Sequence, residues 1–234
     1  MFFEAALRGK NAFWRYLVMF FIVFAATNTI GALPLIVVVV MKGIENPELL
    51  DREAENMLNL SAYGIDPNLG LVLMIFPFLV GMITLYLLMK PLHRRAFISL
   101  FNGGGNIRWR KFFVSAIVWS LLMGAYLYIS ILNDPDNFTL NNTSKSLIWL
   151  IIIAILLIPL QTTFEELLFR GYLMQGAGAW FKNKWLPLLI TSLLFGLMHS
   201  FNPEIRDFGF WVMIPQYITF GLVFGFVTIV DNGI

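Results

Sequence analysis

Apolar runs free of Asp, Glu, Lys and Arg recur along this chain, over residues 16–41, 69–89, 112–132, 147–164, 185–203 and 208–230. A membrane-crossing helix needs about 20 mostly apolar residues, so each run is long enough to cross a bilayer. None alternates apolar and polar positions as the strands of a membrane barrel do. The pattern predicts an all-α, polytopic membrane helix bundle of six transmembrane helices, a single membrane domain over residues 1–234. Pro34, Pro77, Pro159 and Pro215 fall inside these runs, where proline kinks a helix if neighbours satisfy the freed carbonyl. Ser192 with Gly196, and Gly221 with Gly225, are small residues four apart that let helices approach closely.

Charge agrees with this reading. Only 13% of the 234 residues are charged and 59% are hydrophobic, against about 25% charged in soluble domains. The basic residues gather on alternate connections: Arg8, Lys10 and Arg15, then Lys90, Arg94, Arg95, Arg108, Arg110 and Lys111, then Arg170, Lys182 and Lys184. The connections between them carry acids, including Glu45, Asp134, Asp136, Glu204 and Asp207. Cytoplasmic loops are the basic ones, so both termini are expected in the cytoplasm. The first outer connection carries charges at helical spacing and predicts a short surface helix before a turn at residues 64–67. The glycines of "NGGGN", residues 102–106, read as a flexible cytoplasmic turn, since no Lys-Ser/Thr follows them and no strand precedes them. His93, beside Arg94 and Arg95, reads as a surface residue. The net charge of +2 gives no reason to expect a nucleic acid partner. The chain has no cysteine, which removes disulfides, thiolate nucleophiles and cysteine metal sites.

Against that background, "QTTFEELLFRGY" at residues 161–172 stands out. An acidic or basic side chain at the bilayer centre costs about 2.5–3.5 kcal/mol even on the lenient insertion scale. Glu166 and Arg170 are four apart and share a helix face, in the favourable order. Glu165 lies about 100° around the helix and points elsewhere. One carboxylate can therefore be held ionised while the other serves as a general base. The same charges would also suit a fourth helix that simply ends in cytoplasmic water. In "SLLFGLMHSFNPE", Phe195 and His199 again share a face. A histidine inside a span points to function, though it can equally be a hydrogen-bonded structural residue.

The two motifs together, Glu-Glu-x-x-x-Arg and then Phe-x-x-x-His, resemble the CAAX-protease and bacteriocin-processing (CPBP) family of intramembrane proteases. "EELLFRGYLMQG" and "LLITSLLFGLMHS" carry the resemblance, which covers about residues 147–234. Residues 1–146, with the three preceding spans, match only in kind. The resemblance implies an intramembrane endopeptidase of the membrane-protease class. Glu165 would activate water, His199 would orient that water or bind a metal, and Glu166, Arg170 and Phe195 would support them. It implies a peptide or membrane-protein substrate met at membrane lipid, in a bacterial cytoplasmic membrane. It also allows a divalent metal such as zinc on Glu165 and His199, or a metal-independent mechanism. The family carries a further histidine, with Asn or Asp four residues later, on a helix after the next turn. This chain stops at "VDNGI", so the sequence is expected to be a truncated one, with a zinc site left incomplete. The rival reading is a non-catalytic immunity or scaffold protein, or a small transporter, using the same polar cavity. Depth poses a problem for both. If the fourth helix ends near Arg170, His199 lies about 20 Å further across the bilayer. Either that helix continues past Arg170 or residues 171–185 dip into the membrane.

Overall fold

The computed structural model describes residues 2–49, 60–139 and 144–234. They form α1 (Glu4–Leu7), α2 (Phe13–Ala26), α3 (Leu33–Glu45), α4 (Pro67–His93), α5 (Trp109–Asn133), α6 (Ser144–Glu166), α7 (Gln175–Phe181), α8 (Trp185–Met198), α9 (Pro203–Phe208) and α10 (Phe210–Asp231). Among the described residues the only extended pairing is an isolated antiparallel bridge between Asn102 and Gly233. The surface helix expected in the first outer connection falls largely outside the described residues. The turn expected after it is present: Gly64 has φ +66°, and Asp66 caps α4 by accepting from the Asn68 and Leu69 amides.

Two of the long helices are composites. A π-turn at Thr27–Gly31 joins α2 to α3. Thr27, Asn28 and Thr29 turn their side chains back onto the Val23, Phe24 and Ala25 carbonyls, which hides three polar groups inside an apolar span. A second π-helix, Leu167–Met174, joins α6 to α7. Five helices among the described residues are long and apolar enough to cross a membrane: Phe13–Glu45, Pro67–His93, Trp109–Asn133, Leu147–Phe181 and Phe210–Asp231. The fifth predicted window is different. Its helix, α8, has 14 residues, about 21 Å of rise against a hydrocarbon core of about 30 Å.

The core surrounds the π-helix. Tyr16, Met19 and Val23 of α2, Leu85 and Met89 of α4, Leu167, Leu168, Phe169 and Tyr172 of the π-helix, and Phe195 of α8 form one buried cluster. Outside it the helices present apolar side chains outward, and α5 buries none of its residues. Such a surface belongs in lipid, so the chain is an integral membrane protein. Both ends of the chain meet at one end of the bundle. The Phe2 amide donates to Asn232 at 2.5 Å, Arg108 pairs with Asp231 at 2.7 Å, and the Ile234 amide donates to the Phe101 carbonyl at 2.7 Å. The "NGGGN" turn expected to be flexible is fastened there instead. Asn102 is buried, accepts the Gly104 amide at 2.8 Å and pairs with Gly233.

The small residues noted in α8 and α10 do bring those helices together. A Cβ on Gly221 would stand 2.8 Å from the Ser192 Cα. Gly221→Val is therefore expected to force the pair apart and cost about 1–3 kcal/mol, seen as a lowered midpoint of thermal unfolding. An unchanged midpoint would show that the contact can relax.

Candidate active site

The fourth helix continues well past Arg170, and this removes the depth problem. Roughly 24 Å of helix separates Glu165 from Phe181, and roughly 21 Å separates Trp185 from His199. The short turn after α7 reverses the chain, so the two side chains come to similar depth from antiparallel helices. Phe195, beside the His199 ring at 4.5 Å, packs on Phe169 at 5.2 Å and under Arg170 at 4.4 Å, which holds the His199 end of α8 against the segment that follows Glu165. "EELLFR" is therefore not a helix end meeting water: Arg170 is only 1% exposed.

Each charged member has a defined neighbour. The Arg170 guanidinium donates to Glu166 Oε1 at 2.8 Å, the i, i+4 pair read from the sequence. It lies over the Phe195 ring at 4.4 Å, and Phe224 stands at 5.8 Å. Cation–ring contacts of this kind replace part of the hydration lost on burial. Glu165 is half-buried and stands outside that ion pair. Gln161, one turn earlier, donates to its Oε1 at 3.4 Å.

His199 closes α8 as its C-cap. Its Nδ1 lies 2.6 Å from the Phe195 carbonyl oxygen. A carbonyl can only accept, so Nδ1 carries a proton, and in the neutral form of such a ring the lone pair lies on Nε2. The ring sits between two aromatic side chains, Phe195 at 4.5 Å and a stacked Tyr217 at 4.3 Å. The Tyr217 hydroxyl accepts from Asn202 at 3.1 Å and lies 3.4 Å from Glu204 Oε2. The imidazole is thus fixed in plane and tautomer by its surroundings.

The family described as "Type II CAAX prenyl endopeptidase Rce1-like" matches residues 144–234, the segment that holds every residue of this constellation. A relative from Bacillus subtilis (strain 168), "Uncharacterized protein YyaK", is 30% identical over 233 residues, which is 99% of this chain and 75% of the relative. The chain belongs to the CAAX-protease family. No solved structure matches it.

For this CAAX-protease family member, a catalytic zinc would need about three protein ligands and an open position. Glu165 and His199 could supply two. Among the described residues no group of three His, Cys, Asp or Glu gathers, so the donor set present does not fit such a site.

Sequence reasoning missed Tyr217, Gln161 and Asn202. Gln161 was within reach, since it precedes Glu165 by four. Tyr217 was not, because nothing local in α10 marks a ring that stacks on a histidine from α8. His93 requires correction. Far from lying on the surface, it is fully buried. Its Nδ1 meets the Lys10 carbonyl at 2.8 Å and its Nε2 the Tyr172 hydroxyl at 2.7 Å. Arg95 is buried as well and donates to Gln175 at 2.6 Å. That burial lowers the guanidinium's pKa from its usual value, an effect opposed by the neighbouring Tyr16 and Tyr172.

Proposed function

We propose that this chain is an intramembrane endopeptidase of the CAAX type, with Glu165 as general base and His199 as the residue that orients the water. The observation that carries this reading is the packing of the His199 end of α8 on the segment that follows Glu165, through Phe195 against Phe169 and Arg170, with the imidazole Nδ1 already engaged. Nε2 then accepts a hydrogen bond from water and aims its second proton at Glu165. The carboxylate takes that proton as the water oxygen bonds to the scissile carbonyl carbon. The same proton passes to the leaving nitrogen as the C–N bond breaks, so Glu165 returns to its starting state.

The substrate reading draws on an apolar cavity of about 570 Å³ between α2, α7 and α8, lined by Leu17, Phe20, Leu173, Trp180 and Leu194 among others. Its size falls within the usual range of ligand sites, about 300–1,000 Å³. Of its polar side chains, Thr191 bonds its own helix and Tyr16 bonds Asn11. A hydrocarbon chain is therefore the matching occupant. Leu194 immediately precedes Phe195, which would set a lipid-modified cysteine near Glu165. The test uses the protein in lipid bilayers with a prenylated peptide ending in a CAAX sequence. Release of the last three residues is expected, with loss of release on Glu165→Gln. Unchanged release by that variant would sink the assignment.

The proposed setting is a bacterial cytoplasmic membrane with the basic connections inside. Single cysteines at Asn106 and Asn137, both exposed in a chain without native cysteine, should label from outside at Asn137 alone. Outside labelling at Asn106 would reverse the orientation.

A further inference from the structure

A second buried polar cluster lies at the end of α4 and plays no part in the proposed chemistry. It grips the π-helix from the side opposite the Glu166–Arg170 pair. His93, the last residue of α4, makes reciprocal contact with Lys10: the Lys10 amide donates to the His93 carbonyl at 2.8 Å, and His93 Nδ1 donates to the Lys10 carbonyl at 2.8 Å. Because Nδ1 carries the proton, Nε2 is the acceptor and the Tyr172 hydroxyl donates to it at 2.7 Å. The Tyr16 ring packs on both, 4.6 Å from His93 and 4.8 Å from Tyr172. One turn on, Gln175 accepts from Arg95 at 2.6 Å and donates to the Ser99 carbonyl at 3.1 Å. Gly171 presses so closely that a Cβ there would stand 2.7 Å from the Leu100 carbonyl oxygen.

These tethers fall on the longer of the two described segments whose helical phase is irregular. π-turns occur mostly as single bulges and often mark functional sites. Leu167–Met174 extends the irregularity over eight residues. Relaxation of one such turn to α geometry would rotate everything after it by about 100° relative to Glu165. Tyr172 and Gln175 would then leave their partners, and Arg170, though still on the Glu166 face, would turn from the Phe195 ring. Phe195 in turn carries the carbonyl that fixes His199. The path from His93 to the imidazole is thus one of direct contacts: Tyr172 hydroxyl, π-turn, Arg170, Phe195, His199.

We propose that His93, through its hydrogen bond with Tyr172, is a positioning residue that holds the π-helix in phase and thereby sets Glu165 against His199. The proposal rests on the reading of Glu165 and His199 given above, but its test has a readout that needs no turnover. The chain contains two histidines, so nitrogen-labelled histidine in the full chain in bilayers gives one pair of ring-nitrogen signals from each. Tyr172→Phe removes only the hydroxyl. It is expected to shift the His199 signal as well as that of His93, and to lower kcat about ten- to a hundred-fold with little change in KM. His93→Leu should reproduce both effects. His93→Gln, which keeps an acceptor for Tyr172, should recover most of the rate and return the His199 signal towards its original position. Leu60→Ala, in a separate small cluster with Tyr63 and Ile65, should lower the unfolding midpoint and leave the His199 signal unmoved.

A His199 signal and kcat unaffected by Tyr172→Phe would overturn the proposal. If that variant does not fold, the comparison of His93→Leu with His93→Gln decides on the same criterion. If the unaltered protein cleaves nothing, the protease reading fails. The His199 signal alone then judges whether His93 positions the second histidine.

Discussion

Glutamine in place of Glu166 is expected to cost about 3–5 kcal/mol of stability, the usual penalty for breaking a buried ion pair from one side. Arg170 is 1% exposed and cannot shed its charge. Among the described residues its one ion-paired carboxylate is Glu166 at 2.8 Å; the Gly221 carbonyl is at the limit of contact at 3.5 Å. The rings of Phe195 and Phe224 and the field of Glu165 offset only part of the lost attraction. The double replacement Glu166→Gln with Arg170→Met should regain much of the loss, because no uncompensated charge then remains in the core. Unfolding midpoints of the two single variants and the double one form the cycle that measures this. A Glu166→Gln protein as stable as the original would mean that the pair does not hold the π-helix.

The companion change, Glu165→Gln, should do the reverse. Loss of the base is expected to lower the cleavage rate by about 10²–10⁴-fold, with stability held within about 0.5 kcal/mol. Glu165 is half-buried, and its nearest hydrogen-bonding partner, Gln161, stands at a loose 3.4 Å. Glutamine keeps an oxygen for that contact and the same volume. It cannot take a proton from water. Initial rates on the prenylated peptide, read beside thermal unfolding, separate the two glutamates. Equal loss of folded protein from both variants would reduce the pair to a structural charge cluster.

What the sequence determined by itself was local. Charge-free runs mark helices in lipid because each backbone group must bond within its own segment, and each of five predicted windows lies wholly or largely in a helix long enough to cross. The i, i+4 rule brought Glu166 to Arg170 and Phe195 to His199, since residues on one helix need no other element to meet. It also separated Glu165 from its neighbour. The bundle, the family and the two i, i+4 pairs were legible on those terms.

The tertiary structure decided everything that depends on a distant partner. His93 looked like part of a basic loop because Arg94 and Arg95 follow it, yet its ring is satisfied by Tyr172, 79 residues away, and by Lys10, 83 residues away. A polar side chain can be buried wherever hydrogen bonds replace water, and no local pattern announces a partner so remote. The same holds for Tyr217 on His199 and for Asn102 against Gly233. The π-helix is a tertiary outcome too. Its residues have no composition that forbids an α-helix, and they depart from one where long-range tethers, His93 with Tyr172 and Arg95 with Gln175, are satisfied. That departure, with the continuation of the fourth helix to Phe181, brings Glu165 and His199 to one depth. Periodicity assigns a residue to a helix face; which face of which neighbour it meets depends on how the helices pack.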